Sequence, residues 1–229
     1  MNKAGIITFH CADNFGAFWQ VYALQSVINN LGVDVEIIDF RPDELVYPFR
    51  EYIDIKKMLN ERGLLRTIKA IALKISRYSR VKLRTNSFSE MREKHLNLSV
   101  EKYLSSDELI NNPPHYKYYI SGSDQVWNPY FKKKIGNSYF LDFATDNSIK
   151  IAYAASIAEK VPDELNDEYF SLINDFDYIS VRESSAKKYL NTLTDKDIYV
   201  TLDPTFLLNT EQWNRFIKES FIKEDYIFV

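Results

Sequence analysis

The chain has 229 residues with 29 Lys and Arg against 32 Asp and Glu, so its formal net charge is −3 and gives no support to a nucleic-acid partner. Hydrophobic residues make up 45% of the chain, and it contains only six Gly and seven Pro, which excludes a disordered or fibrous protein. The length fits one large domain or one and a half, with a sizeable core.

Cysteine content and the N-terminus bear on the cellular compartment. Cys11 is the one cysteine and cannot form a disulfide within the chain, which fits the reducing cytoplasm. The apolar run at residues 4–9 is too short for the core of a signal peptide and far too short to span a bilayer. No other apolar stretch in the chain is long enough to span a bilayer either. We therefore expect a soluble, cytoplasmic protein.

The first predicted elements form a βαβ unit. Residues 4–9 are predicted as a buried parallel strand, residues 17–31 as a helix with apolar positions three and four apart, and residues 33–39 as a second strand. The loop of residues 10–16 therefore lies at the carboxyl end of a strand and at a helix N-terminus, a place suited to an anion. The G-x-G-x-x-G spacing of dinucleotide-binding loops is absent, and so is a P-loop.

Residues 41–97 differ from the rest of the chain because they are basic and predicted to be helical, as an insertion in the domain. Ile68, Ile71, Ala72 and Ile75 recur at helical spacing while the cations occupy other faces, which is the pattern of an amphipathic basic helix. Such a helix either makes peripheral contact with the anionic inner membrane surface or is simply a solvated face.

A strand that ends in a polar loop is the strongest functional signal. Residues 116–120 are aromatic and β-branched, as in a buried strand. The residues directly after this strand are small or polar: Ser121, Gly122, Ser123, Asp124 and Gln125. In open α/β sheets, ligands bind just past the carboxyl ends of strands, so this loop predicts a small-molecule site with Trp127 as its wall. The alternative is an Asx-type turn closed by Asn128 and Pro129, with Trp127 in the hydrophobic core.

The rest of the chain continues the alternation of strands and helices. Residues 100–109 are predicted as a short connector, and Asn111–Pro114 as a break. Arg182 stands at the carboxyl end of a predicted strand. Further strands are predicted at 150–155, 178–181, 198–202 and from 226, and helices at 163–174, 186–190 and 212–217. This alternation predicts an α/β fold with a Rossmann-like, doubly wound and mostly parallel sheet.

Four short segments carry a resemblance to a known family. Residues 122–129, Gly-Ser-Asp-Gln-Val-Trp-Asn-Pro, are similar to the signature Gly-Ser-Asp-Gln-hydrophobic-Trp-Asn-Pro of the polysaccharide pyruvyl transferase family. Residues 14–17 and 19–20 resemble that family's Asn-Tyr-Gly-Ala and the Leu-Gln that follows it, with Phe15 in place of Tyr and Trp19 in place of Leu. The other two segments are Ser180-Val181-Arg182-Glu183, which resembles its Ser-hydrophobic-Arg-Glu motif, and Asp203-Pro204-Thr205, which resembles its Asp-Pro-Thr motif.

The resemblance implies a domain organisation as well as a fold. The family has two domains arranged as in GT-B glycosyltransferases. Residues 1–224 resemble its N-terminal Rossmann-like domain, with residues 225–229 as the start of the second domain. The Arg-x-His motif of the family's second domain does not occur in this sequence. We therefore expect the chain to be the N-terminal half of such an enzyme, either as a truncated product or as a domain fragment. If both halves share the residues that hold the donor, we expect this half to be inactive on its own.

The implied reaction is the transfer of a pyruvyl group from phosphoenolpyruvate to two hydroxyls of a sugar in a cell-surface or exopolysaccharide glycan. It forms a cyclic ketal and releases phosphate. Such a site needs a cation for the carboxylate and phosphate, a group that moves protons, and hydrogen-bonding groups for the sugar. Phosphoenolpyruvate is the implied donor, the acceptor is a sugar or a lipid-linked glycan, and no cofactor is implied.

Candidate residues for these roles come from the motifs. Arg182 is the cation, because a guanidinium holds a carboxylate in a fork as lysine cannot. Asp124 and His10 are the candidate catalytic residues that move protons. His95 and His115 have no partners at metal spacing, so no metal site is expected. The remaining substrate-binding candidates are Asn14, Gly16, Gln20, Ser121, Gly122, Ser123, Gln125, Trp127 and Asn128.

Two other functions fit the same sequence. One is a glycosyltransferase of the GT-B type that uses a nucleotide sugar, since it shares the architecture and the polar loop at a strand end. The other is a non-catalytic module that binds carbohydrate or a protein partner. Phosphoenolpyruvate and UDP or GDP sugars distinguish these functions, because a ligand raises the thermal stability only of a protein that binds it.

Overall fold

A computed structural model describes residues 3–50, 60 and 63–217 of the chain. Its strands are β1 (Lys3–Ile7), β2 (Asp34–Phe40), β3 (Leu98–Tyr103), β4 (Tyr118–Ser121), β5 (Ile149–Ala155), β6 (Tyr178–Val181) and β7 (Ile198–Val200). Within the described residues these strands form one sheet in the order β3-β2-β1-β4-β5-β6-β7, and all neighbouring pairs are parallel. The register pairs Ala4 of β1 with Val35 of β2 and with Tyr118 of β4.

At least one helix follows each strand. They are α1 (Phe15–Asn30), α2 (Asp43–Arg50), α3 (Leu64–His95), α4 (Ser106–Asn111), α5 (Pro129–Ile135), α6 (Asn166–Asn174), α7 (Ser184–Leu190) and α8 (Thr210–Asn214). Short 3-10 helices span Ser138–Phe140, Asp163–Leu165 and Pro204–Leu207. Among the described residues, none of the helices is both long enough and apolar enough to cross a membrane.

Both faces of the sheet are covered, because successive side chains of a strand point to opposite faces. Ile6 of β1 lies in a hydrophobic cluster with Phe18 of α1 and Phe88 of α3. Its neighbour Ile7 lies in a second cluster that contains Trp127 and Phe140. An all-parallel sheet with a core on each face is a doubly wound α/β fold of the Rossmann type, which confirms the predicted fold class.

The first helix shows why the sequence predicted the βαβ unit well. Asn14 precedes α1, and its side-chain oxygen accepts a hydrogen bond from the backbone N–H of Ala17 at 3.1 Å. This bond satisfies one of the N–H groups that a helix start leaves free. Gly32 follows the helix at a φ of +80°, a conformation that glycine adopts without strain. Local residues therefore determine both ends of α1.

Strand β3 was not predicted. We expected helix up to residue 97 and a connector at 100–109, whereas the chain forms β3 and then α4. The strand lies at an edge of the sheet, and its middle residues Val100, Glu101 and Lys102 are exposed. An edge strand buries fewer side chains than a central one, so its sequence lacks the apolar run that marks the other strands.

Some predictions fall outside the described residues. They are the strand from residue 226, the start of a second domain at residues 225–229, and the parts of the basic insertion at residues 51–59 and 61–62. These predictions stay open. The part of the insertion that is described is helical over most of its length, as α2 and α3.

Candidate functional site

A cavity opens at the carboxyl edge of the sheet. Strands β1, β2 and β3 extend the sheet in one direction, and after β3 the chain returns to the other side of β1 to form β4. The strand order therefore reverses between β1 and β4. In an open α/β sheet, a crevice forms at such a reversal. The cavity has a volume of about 570 Å³, which is within the range of small-molecule sites. Its lining residues are Phe9, Ala12, Asn14, Gly16, Ala17, Gln20, Glu44, Leu45, Asp124, Gln125, Tyr130, Phe131, Arg182, Asp203, Thr205 and Phe206.

Gln20 connects α1 to the loops that follow β1 and β4. Its Nε2 donates to Oγ1 of Thr8 at 3.0 Å and to the carbonyl of Ala17 at 3.0 Å, and its Oε1 accepts from the N–H of Ser123 at 3.1 Å. Thr8 in turn donates from Oγ1 to the carbonyl of Ser123 at 2.8 Å. The side chain of Gln20 is buried, and the protein supplies its hydrogen bonds. Gln20 therefore holds the cavity floor together.

The loop after β4 has an unusual backbone. Gly122 has a φ of +111°, and a Cβ at this position would lie 2.3 Å from the carbonyl oxygen of Tyr153. Asp124 has a φ of +80°, which is uncommon for a residue other than glycine. The N–H of Ser156 donates to the carbonyl of Asp124 at 2.9 Å and supports this conformation. Non-glycine residues in this region of φ are found at functional sites, where the surrounding structure holds them in place.

The carboxyl group of Asp124 is a weaker acid than that of a free aspartate. Burial raises the pKa of its carboxyl group above the usual range, although the N–H of Gln125 and the charge of Arg182 oppose this rise, and the charge of Asp203 adds to it. The N–H of Gln125 donates to Oδ1 of Asp124 at 2.8 Å. A carboxyl group with a raised pKa keeps its proton closer to neutral pH, which suits general acid–base chemistry.

Arg182 lines the same cavity from the end of β6. Its Nη1 donates to Oδ2 of Asp203 at 3.1 Å, while Oδ1 of Asp203 accepts from the N–H and Oγ1 of Thr205 at 3.0 and 2.8 Å. The side chain of Arg182 is 32% exposed. Since a guanidinium has five N–H donors, this single bond leaves donors for an anionic ligand. Among the described residues, Arg182 is the cation on the cavity lining.

Six of the twelve candidate residues line this cavity: Asn14, Gly16, Gln20, Asp124, Gln125 and Arg182. They come from three separate parts of the chain, namely the cap and first turns of α1, the loop after β4 and the end of β6. Their assembly depends on β4 lying next to β1 in the sheet, because that pairing places the two loops on either side of the crevice.

His10 has a different environment from the one predicted. It is fully buried, its Nε2 lies 3.0 Å from Oδ1 of Asp39, and its Nδ1 lies 3.3 Å from the carbonyl of Thr8. Burial raises the pKa of Asp39, but hydrogen bonds from His10 and Arg41 outweigh this effect and lower the pKa to about 2. His10 is not among the lining residues, so its side chain is placed to hold β1 and β2 together.

The remaining candidates in the central motif face the core and not the cavity. Trp127 is 0% exposed, stacks on Phe140 with ring centroids 5.6 Å apart, and donates from Nε1 to the carbonyl of Tyr139 at 3.4 Å. This placement corrects the prediction that Trp127 walls the site, and it agrees with the alternative that places Trp127 in the core. The other residues that are buried and do not line the cavity are Ser121, Gly122, Ser123 and Asn128.

These buried residues still have identifiable tasks in the loop. Ser121 donates from Oγ to the carbonyl of Tyr139, and Ser123 donates from Oγ to the carbonyl of Ala154 at 2.9 Å. Oδ1 of Asn128 accepts from the N–H of Tyr130 at 2.8 Å and caps α5. The motif therefore combines a short stretch that lines the cavity with a larger part that shapes and anchors it.

Other aromatic side chains form the cavity wall that Trp127 was expected to supply. None of them was predicted from the sequence as part of the site. Tyr130 and Phe131 come from the first turn of α5, Phe9 from the loop after β1, and Phe206 from the 3-10 helix after β7. A signal for two of them was present, because Asn128-Pro129 is a typical helix start and places the next two residues beside the loop. Phe9 and Phe206 had no comparable local signal.

A metal ion needs a group of several ligand side chains. Within residues 3–50, 60 and 63–217, no three His, Cys, Asp or Glu side chains are grouped so that they could hold one. The cavity lining combines one cation, three carboxylates, amides and aromatic rings. This arrangement can bind an anionic ligand, exchange protons with it and pack against an apolar surface.

Comparison with known proteins agrees with the resemblance seen in the motifs. The family model described as polysaccharide pyruvyl transferase matches residues 14–229, a range that includes Asp124 and Arg182. No curated protein and no solved structure matches the chain. Because the family model covers nearly the whole sequence, the chain belongs to the polysaccharide pyruvyl transferase family.

Proposed function

We propose that the protein acts in the transfer of a pyruvyl group from phosphoenolpyruvate to two hydroxyls of a sugar, as a cyclic ketal, in the synthesis of a cell-surface or exopolysaccharide glycan. The observation that carries this proposal is that Asp124 and Arg182 line one cavity at the switch point of the sheet. Membership of the family supplies the reaction class, and the pair of side chains supplies two of the groups that the reaction needs.

The reaction requires two protons to move. C3 of phosphoenolpyruvate gains one proton, the bond between C2 and the phosphate oxygen breaks, and two bonds form between C2 and the sugar oxygens. The two hydroxyl protons of the sugar balance the proton that C3 gains and the one that the released phosphate carries. In this proposal Asp124 exchanges these protons, because it lines the cavity and burial raises its pKa above the usual range.

Arg182 binds the carboxylate or the phosphate of phosphoenolpyruvate in this proposal. A guanidinium presents parallel N–H donors to two oxygens, which both positions the ligand and neutralises its charge. The bond from Arg182 to Asp203, at 3.1 Å, sets the orientation of the guanidinium before a ligand arrives. Such an arrangement lowers the entropy that binding has to offset.

The acceptor sugar binds against the aromatic side of the cavity. Tyr130, Phe131 and Phe206 offer apolar ring surfaces to the C–H groups of a sugar, while the side chains of Gln125 and Glu44 are polar groups for its hydroxyls. We propose a sugar or lipid-linked glycan as the acceptor, phosphoenolpyruvate as the donor, and no cofactor or metal. The buried, single Cys11 supports a cytoplasmic location.

Isothermal titration with phosphoenolpyruvate tests the proposal without requiring a known acceptor. We expect a fit to one site per chain, with affinity that falls in Arg182→Lys. UDP-glucose and GDP-mannose serve as controls, because a glycosyltransferase of the GT-B type would bind one of them and not phosphoenolpyruvate. Binding of oligosaccharides with no binding of either donor would instead identify a carbohydrate-binding module and refute the transferase proposal.

A further inference from the structure

Helix α3 carries an apolar stripe that includes exposed side chains. Positions 64, 68, 71, 75 and 78 hold Leu, Ile, Ile, Ile and Tyr, at alternating spacings of four and three residues. This spacing aligns them along one side of an α-helix. Leu64, Ile68 and Tyr78 are 62%, 54% and 59% exposed. Side chains of this size at helical spacing are normally buried, so these three members of the stripe lack the cover that such a pattern finds in a globular core.

The same helix has an unbalanced charge. Residues 64–89 contain seven Lys or Arg residues and no Asp or Glu, although the whole chain has 32 acidic residues against 29 basic ones. Arg66, Lys69, Arg80 and Lys82 are exposed. A helix that only faced water would gain from pairing these cations with acids one turn away, and none are present. The charge therefore points to an anionic surface.

The end of α3 is anchored in the domain. Nη2 of Arg92 lies 3.0 Å from Oδ1 of Asp13, both side chains are nearly fully buried, and Nη1 of Arg92 donates to the carbonyl of Ala12 at 3.5 Å. Phe88, one turn earlier, is 3% exposed in the core. The helix rises about 1.5 Å per residue, so the stripe extends for roughly 20 Å starting about 20 Å from Arg92. A buried ion pair thus anchors the C-terminal end of α3, while the N-terminal half of the helix carries the stripe.

We propose that α3 binds the surface of an anionic phospholipid bilayer, with the stripe of residues 64–78 in the interface and the exposed cations Arg66, Lys69, Arg80 and Lys82 against the lipid phosphates. An amphipathic helix with apolar residues on one side and Lys or Arg on the others binds membranes in this way. Pairing with a second copy of the chain through the stripe would bring seven cations near seven cations with no acids between them. A bilayer surface provides apolar cover for the stripe and anionic phosphates for the cations. This inference does not depend on the proposed reaction.

The anchoring at Arg92 gives this binding a consequence for the cavity. Ala12 lines the cavity, and Arg92 contacts its carbonyl. The helix is therefore attached directly to the loop that forms one wall of the site. A chain bound through α3 would hold its cavity within a few nanometres of the lipid surface, since the helix as a whole spans roughly 48 Å.

Co-sedimentation of the purified chain with vesicles tests the inference. We expect binding to vesicles of mixed phosphatidylglycerol and phosphatidylcholine, and little binding to phosphatidylcholine alone. Lys69→Gln combined with Lys82→Gln should lower the partition coefficient by roughly 30-fold, at about fivefold per cation. Ile68→Asp should lower it by roughly tenfold or more, because it places a charge in the apolar stripe.

Matched controls separate this effect from a general change in charge or hydrophobicity. Lys133→Gln combined with Lys188→Gln removes two exposed cations outside α3, and Val100→Asp replaces an exposed apolar residue of β3. Both controls should bind vesicles as the unaltered chain does. Circular dichroism and thermal melting of each variant establish that it is folded, which is expected because the altered side chains are exposed.

Three outcomes would overturn the inference. The first is equal binding to anionic and neutral vesicles, or none to either. The second is loss of binding in the lysine variants with no effect of Ile68→Asp, which would mean that the helix binds soluble polyanions through charge alone. The third is a dimer in sedimentation velocity that Ile68→Asp converts to a monomer without changing vesicle binding, which would make the stripe a contact between two copies of the chain.

Discussion

Substitution of Arg182 by Lys tests whether the guanidinium holds the donor substrate. Lysine keeps the positive charge, but its ammonium group cannot pair with Asp203 and present two parallel donors to a ligand. Nη1 of Arg182 lies 3.1 Å from Oδ2 of Asp203, and the side chain is 32% exposed at the cavity. Loss of a charge-assisted hydrogen bond costs about 1.5–3 kcal/mol. The affinity for phosphoenolpyruvate should therefore fall roughly ten- to a hundredfold.

The same substitution should have little effect on the fold. A partly exposed ion pair contributes about 0.2–1 kcal/mol to the free energy of unfolding, so the melting temperature should fall by at most about 4 °C in a chain of this size. Isothermal titration measures the affinity and scanning calorimetry measures the stability. Arg215→Lys, at an exposed residue after α8, is the matched control and should change neither quantity.

Two results would refute the reasoning about Arg182. If Arg182→Lys binds phosphoenolpyruvate as tightly as the unaltered chain, the guanidinium does not contact the donor. If the melting temperature falls by much more than the ion pair accounts for, Arg182 is a structural residue, because a ligand contact in an open cavity should not support the fold.

Three further substitutions test other parts of the structure. Asp203→Asn removes a negative charge that raises the pKa of Asp124, so that pKa should fall in an NMR titration of the Asp124 carboxyl group; an unmoved pKa would contradict this coupling. Asp39 has its pKa lowered from 3.8 to about 2, so its ionised form adds about 2 kcal/mol of stability that is present at neutral pH and lost as the pH falls through that range. Urea unfolding should therefore show a difference between the unaltered chain and Asp39→Asn at neutral pH that largely disappears in acid, and a constant difference would refute it. Trp127→Ala should lower the free energy of unfolding by about 3–5 kcal/mol in chemical denaturation, since the side chain is 0% exposed. Loss of donor binding with unchanged stability would instead show that Trp127 contacts the ligand.

Sequence patterns predicted most of the fold because they are properties of neighbouring residues. Helix α1 could be predicted from its apolar spacing, its cap at Asn14 and its stop at Gly32, all of which lie within one segment. Strand β3 could not, because its exposed middle residues Val100 and Glu101 reflect its place at the edge of the sheet, and that place depends on the other strands. The residues of a strand do not by themselves determine its position in a sheet.

The candidate site divides in the same way. The motif at residues 122–129 located the cavity, but it did not show that Asp124 and Gln125 face it while Trp127 faces the core. That distinction depends on the backbone of the folded loop, in which Asp124 has a φ of +80°.

The sequence alone determined the fold class, the family and the loops that carry the site, because each of these depends on residues close together in the chain. Tertiary structure decided which side chains meet. His10 is paired with Asp39, which is 29 residues away, and so does not line the cavity. Asp124 and Arg182 share a cavity because β4, β5 and β6 are successive neighbours in one parallel sheet and end at the same edge. Strand pairing of this kind is a long-range interaction, which is why only the folded chain reveals it.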